Sequence, residues 1–214
     1  MKTGILWDLD GTLLDTLEDL ADGVNVALRH FGYPERTIEE VRRFVGNGAR
    51  RLIERAVPDG ADVDAVLEAF RSYYDAHCQV KTKPYDGILP ALKSLGETYS
   101  IAIVSNKPDS AVKALCADYF PGIYALGEAA GCPRKPAADM VFKAMKAIGV
   151  DRCIYVGDSE VDVLTAKNAG VPCVCVLWGF RDRDVLEAAG GTSFCETPEQ
   201  MPAVIRAMEE TYGK

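Results

Sequence analysis

The chain has 214 residues, 48% of them hydrophobic, enough for one α/β domain with a smaller insert. Its formal net charge is −8, so no global field steers an anion toward it, and no basic stripe suits nucleic acid. The apolar runs are strand-length rather than membrane-spanning, the N-terminus lacks the shape of a signal peptide, and the seven scattered cysteines form no CxxC pair. Together these predict a protein of the reducing cytoplasm, with no membrane partner.

In chain order, residues 5–9 predict a buried strand that runs straight into Asp8-Leu9-Asp10-Gly11-Thr12. An unpaired buried carboxylate is expensive, and two together repel. A divalent cation beside a phosphate would answer both problems. Residues 16–81 then hold no strand pattern. Leu17, Leu20, Val24, Ala27, Leu28 and Phe31 recur at helical spacing. Thr37 and Glu40 read as a capping box, with Val41, Phe44 and Val45 behind it. Gly46-Asn47-Gly48 breaks that helix, and Leu52, Ile53 and Ala56 begin another. Val63, Val66, Leu67, Phe70 and Tyr74 carry a longer one.

Beyond residue 81, strand and helix alternate. Strands are predicted at 100–104, 122–126, 153–156 and 172–177, and helices at 88–95, 109–118, 137–148, 162–169 and 198–210. Thr197, Pro198 and Gln200 read as the N-terminal cap of the last helix. Near-continuous apolar strands between helices predict a doubly wound, parallel, Rossmann-like α/β core, with its site at the carboxyl ends of the strands. The helical stretch predicts an inserted all-helical cap: residues 1–15 and 82–214 form the core, 16–81 the cap.

Four segments carry polar groups at strand ends or helix starts. They are Asp8–Thr12, Val104-Ser105-Asn106-Lys107, Arg134-Lys135-Pro136 and Val156-Gly157-Asp158-Ser159-Glu160-Val161-Asp162. A carboxylate can attack phosphorus and form an aspartyl phosphate. That attack of anion on anion needs charge neutralisation, which Mg²⁺ on Asp8 and Asp158 would supply. The Asp10 carbonyl could reach the same ion, leaving its carboxyl for acid–base work. Lys135 and Ser105 would hold the phosphoryl oxygens.

In this order and on these elements, the four segments resemble the haloacid dehalogenase superfamily. Its phosphatases carry DxDG[TV], a strand-end Ser/Thr, a Lys and a GDxxxD-type motif. The resemblance implies Asp8 as nucleophile and Asp10 as general acid and base. It implies Mg²⁺ on Asp8, the Asp10 carbonyl and Asp158. Phosphate would be bound by Ser105, Asn106 and Lys135, and Asp162 would orient metal-bound water or Lys135. Val45-Gly46-Asn47-Gly48-Ala49 and Trp178-Gly179-Phe180-Arg181 resemble segments of the phosphoglycolate phosphatase-like group. The usual KPxP pattern is replaced by Lys135-Pro136-Ala137-Ala138, which alters a helix start and no catalytic group.

The implied enzyme is a Mg²⁺-dependent phosphomonoesterase for a small phosphorylated metabolite such as phosphoglycolate. A sugar phosphate, a nucleotide or pyrophosphate stays open as substrate, and so does a phosphomutase. No obligate protein partner is implied. Gly46, Asn47 and Gly48 are the cap residues expected to set specificity, through bare backbone N–H groups. Arg42, Arg43, Arg50, Arg51 and Arg55 read mainly as a solvated face. A dehalogenase would lack Asp10, and a phosphonatase would need a cap lysine, of which 16–80 has none. A phospho-acceptor signalling domain would lack the helical insert.

Overall fold

The computed structural model describes residues 2–212. Its centre is a six-stranded parallel sheet in the order β5-β4-β1-β6-β7-β8. The strands are β1 (Thr3–Trp7), β4 (Ser100–Pro108), β5 (Tyr124–Glu128), β6 (Arg152–Gly157), β7 (Cys173–Val176) and β8 (Phe194–Cys195). The chain builds outward from β1 through β4 to β5, then returns to β6 on the other side. Such a reversal leaves a crevice at the strand ends, where α/β sheets bind ligands.

Side chains alternate across the strands, and each face has its own helical cover. Ile5 and Trp7 pack with α5 (Ile88–Gly96), α6 (Asp109–Tyr119) and α10 (Met201–Tyr212). Leu6 packs with α7 (Asp139–Ile148) and α8 (Glu160–Ala169). Leu186 of α9 (Arg183–Ala188) joins Val163 and Cys175 in a small satellite cluster.

A second cluster is built by α1 (Leu17–His30), α2 (Ile38–Phe44), α3 (Ala49–Ala56) and α4 (Val63–His77). The Thr37–Glu40 capping box forms as expected, closing both orphan groups at the start of α2. A short antiparallel ribbon, β2 (Leu14–Asp15) with β3 (Lys83–Pro84), joins the entry and exit of this helical segment. Buried Asp19 holds the exit strap by accepting the N–H groups of Lys81 and Thr82.

Several boundaries differ from the sequence expectation. β1 stops at Trp7, because the chain turns through the Asp8–Thr12 loop. α7 begins at Asp139 rather than 137, and α8 at Glu160 rather than 162, started by a Ser159–Asp162 box. The strand expected at 122–126 lies at Tyr124–Glu128. Thr197 makes no side-chain cap, and Pro198–Gln200 is a separate 3₁₀ turn. Gln200 instead accepts from the Glu196 N–H. Strand β8 and the β2/β3 ribbon are two-residue elements, too short to leave a periodic signal.

Candidate active site

Parallel register brings the polar segments together. Trp7 is level with Ile103 and Val156, so Asp8 and Asp158, just past β1 and β6, and Ser105, in the last part of β4, come together at one end of three adjacent strands. The Asp8 N–H donates to the Val156 carbonyl at 2.9 Å, continuing the ladder to the carboxylate itself. Gly11 and Gly179 admit the crowding around Asp158. A Cβ on either would collide with its side chain, and Gly11 also has φ of +81°.

The carboxylates of Asp8, Asp158 and Asp162 offer oxygens within 4.8 Å of one another, all on buried residues. One ammonium serves them: Lys135 Nζ lies 2.8 Å from Asp8 Oδ1 and 2.8 Å from Asp162 Oδ1. Asp162 is also claimed by Ser159, whose Oγ donates at 2.6 Å and whose N–H donates at 3.1 Å, and by the Tyr155 hydroxyl at 3.3 Å. Asp8 Oδ1 accepts the Leu9 N–H at 2.7 Å. Asp158 accepts from the Thr12 hydroxyl at 3.0 Å and from the Phe180 N–H at 2.7 Å.

Charge is out of balance here. Burial, then Asp162, pushes the Asp8 carboxyl well above the usual range, although Lys135 pulls it down. Burial and Asp162 lift Asp158 to about 7. Burial alone would lower Lys135, but Asp162 and Asp8 hold it well above the usual lysine value. Three buried carboxylates with one ammonium call for further positive charge, and hard oxygen donors suit a divalent cation such as Mg²⁺.

The expected residues are not all placed alike. Asp8, Asp10, Ser105, Lys135 and Asp158 line one cavity beneath the helical segment. Asp162 lies behind it, fully buried, holding Lys135. Asn106 also borders the cavity, but its side-chain amide is used structurally. It donates to the carbonyls of Gly46 and Lys135 and accepts the Lys135 N–H. Gly46 and Gly48 face the cavity. Asn47 does not; its Oδ1 accepts from Arg55.

Four residues gained no role from the sequence. Lys107 pairs with Asp10 at 2.9 Å. Arg181 donates to Glu160, to the Arg42 carbonyl and to the Val45 carbonyl, pinning α2 to the loop after β7. Its neighbour Phe180 packs inside the helical cluster while its N–H holds Asp158. Arg71, on α4, lines the cavity with no ion pair or side-chain hydrogen bond among the described residues. A lysine directly after the strand-end Ser-Asn was a readable signal for the first; Arg71 had none beyond lying one residue after the packed Phe70.

A sequence profile of the haloacid dehalogenase-like hydrolases matches residues 5–176, and the chain belongs to that family. It is 32% identical over 221 residues to phosphoglycolate phosphatase 1 of Pseudomonas aeruginosa, covering 96% of this chain and 80% of the relative. It is 36% identical over 197 residues to a phosphoglycolate phosphatase of Mesorhizobium japonicum, covering 86% of each. A crystal structure of a candidate phosphoglycolate phosphatase from Lactobacillus delbrueckii subsp. bulgaricus superposes with a TM-score of 0.89 at 36% identity, covering 96% of this chain and 99% of that one.

Proposed function

We propose that the protein is a Mg²⁺-dependent phosphomonoesterase acting through an aspartyl phosphate, with 2-phosphoglycolate its leading substrate. The observation that carries this reading is the buried, cation-poor carboxylate cluster, placed at the sheet's switch point beside a lysine that touches Asp8. The names of the relatives favour the same substrate.

In this reading Asp8 attacks phosphorus, and the leaving alcohol takes a proton from Asp10. Asp10 then removes a proton from the water that hydrolyses the aspartyl phosphate. Lys135 steadies the phosphoryl oxygens, and Ser105 donates to them from the end of β4. Asp162 keeps Lys135 in place. Asp8, the Asp10 carbonyl and Asp158 would hold Mg²⁺, which when bound neutralises charge on the transferring group.

Residues 16–81 serve as a cap over the core of 1–15 and 82–214; their separate hydrophobic cluster and ribbon-tied ends support this division. The cap supplies selectivity. Arg42, Arg50 and Arg51 pair with acids, and Arg55 and Arg181 are bound to carbonyls. Arg71 has its guanidinium free for a substrate carboxylate, although Asp75 also borders the cavity. Seven free thiols suit a reducing cytoplasm.

A kinetic panel of 2-phosphoglycolate, sugar phosphates, nucleotides and pyrophosphate, with Mg²⁺ and with chelator, tests the reading. The expected result is Mg²⁺-dependent turnover with the highest kcat/KM for 2-phosphoglycolate. Turnover that survives chelation would refute the metal role, and a preferred bulky ester would refute the substrate.

A further inference from the structure

Lys107 has no part in the reaction above, yet its side chain is only 4% exposed at the edge of the cavity. It donates to Asp10 Oδ1 at 2.9 Å, to Asp10 Oδ2 at 3.2 Å and to the Tyr74 hydroxyl at 2.8 Å. The ammonium also stands 4.7 Å from the Tyr74 ring centroid. Burial works against its charge, but Asp10 and Tyr74 reverse that and hold the ammonium protonated.

The three partners come from different parts of the chain. Asp10 belongs to the loop after β1, Lys107 to the end of β4, and Tyr74 to α4 of the helical cluster, where it stacks on Phe70 at 5.2 Å. A free lysine side chain carries about 2 kcal/mol of rotamer entropy, so an ammonium fixes a carboxylate only if it is itself fixed. Tyr74 supplies that restraint, and it comes from the cap. Without the hydroxyl, one N–H of a nearly dry ammonium would lack its acceptor.

We propose that Tyr74 and Lys107 are the positioning pair for Asp10: seating of α4 sets the hydroxyl on the ammonium, the ammonium fixes the carboxylate, and proton transfer runs at full rate only with the cap in this position. This rests on the assignment of Asp10 as acid and base.

Rapid-quench rates of phosphoryl transfer from 2-phosphoglycolate and from p-nitrophenyl phosphate test it, because an alkyl leaving group needs a proton and nitrophenolate does not. Asp10→Asn, Lys107→Met, Tyr74→Phe and the Lys107/Tyr74 double variant are compared, with inhibition by inorganic phosphate as the binding readout. Lys107→Met should slow the alkyl ester about 10–100-fold and the aryl ester several times less. Tyr74→Phe should give a smaller loss of the same selectivity. The double variant should be no slower than Lys107→Met, and the phosphate Ki should stay within about 2-fold. Lys107→Arg, which keeps the ion pair, should recover part of the alkyl rate, and with Tyr74→Phe it carries the test if Lys107→Met does not fold. Equal losses on both esters, or a raised phosphate Ki, would make Lys107 a ligand-binding cation and overturn the proposal. Full additivity in the double variant would also overturn it. If Asp10→Asn shows no leaving-group selectivity, the acid–base assignment fails first and takes the proposal with it.

Discussion

The sheet and the helical cluster face one cavity, but they present their polar groups in opposite ways. On the sheet side the charged groups are tied down. Lys135 bridges two carboxylates, Asp158 accepts two donors, and Asp162 accepts from Lys135, Ser159 and Tyr155. On the helical side, Arg71 faces the cavity untied. The lesson is a division of labour. Chemistry common to all phosphate esters gains from groups fixed before the substrate arrives. Choosing among esters needs a cation that waits for its partner.

Breaking the sheet side should therefore affect every ester. Asp8→Asn is expected to lower kcat at least ~10³-fold on 2-phosphoglycolate and on p-nitrophenyl phosphate alike. It should not lower the melting temperature, since burial and Asp162 already disfavour the charge it removes. Residual turnover with aryl phosphate near the parent rate would remove Asp8 as nucleophile. Lys135→Met should cost about 10²–10³-fold in kcat on both esters. It should also destabilise the fold by about 3–5 kcal/mol, because Asp8 and Asp162 would lose their shared ammonium. Urea denaturation measures the second effect, and an unchanged midpoint would mean that the pair is not structural.

Breaking the helical side should change ranking alone. Arg71→Ala is expected to raise KM for 2-phosphoglycolate about 10-fold, the scale of one lost charge-assisted hydrogen bond. It should leave p-nitrophenyl phosphate within about 2-fold. Equal losses on the two esters would show that Arg71 belongs with the catalytic groups instead.

The last test concerns pH, and it comes from the sheet side alone. Asp158 is lifted from its ordinary 3.8 to about 7 by burial and Asp162. Between those values the folded chain keeps a proton that the unfolded chain has released, so stability falls as pH rises through the window. Calorimetry in chelator should find a lower melting temperature at about pH 8 than at about pH 5. Asp158→Asn should flatten that slope, and Mg²⁺ should restore more stability at the higher pH. A profile that rises with pH in chelator would contradict the charge balance described for the cluster.

Local pattern was enough for much of this molecule. The apolar runs announced β1, β4, β6 and β7, and Thr37 with Glu40 announced the start of α2. The order of Asp8, Ser105, Lys135 and Asp158 along the chain announced the sheet-side groups, because each follows a strand or precedes a helix. Such signals lie within a few residues of one another, where backbone periodicity and capping fix the outcome. Side-chain partnerships across the chain had no such carrier. Nothing local joins Lys107 to Asp10, 97 residues away, or to Tyr74, 33 away. Nothing local sends Phe180 into the helical cluster, turns Asn106 inward to Gly46 and Lys135, or leaves Arg71 free while Arg55 takes Asn47. Those choices depend on distances and burial that exist only once sheet and helices have packed, and packing is where the tertiary structure decided what the sequence left open.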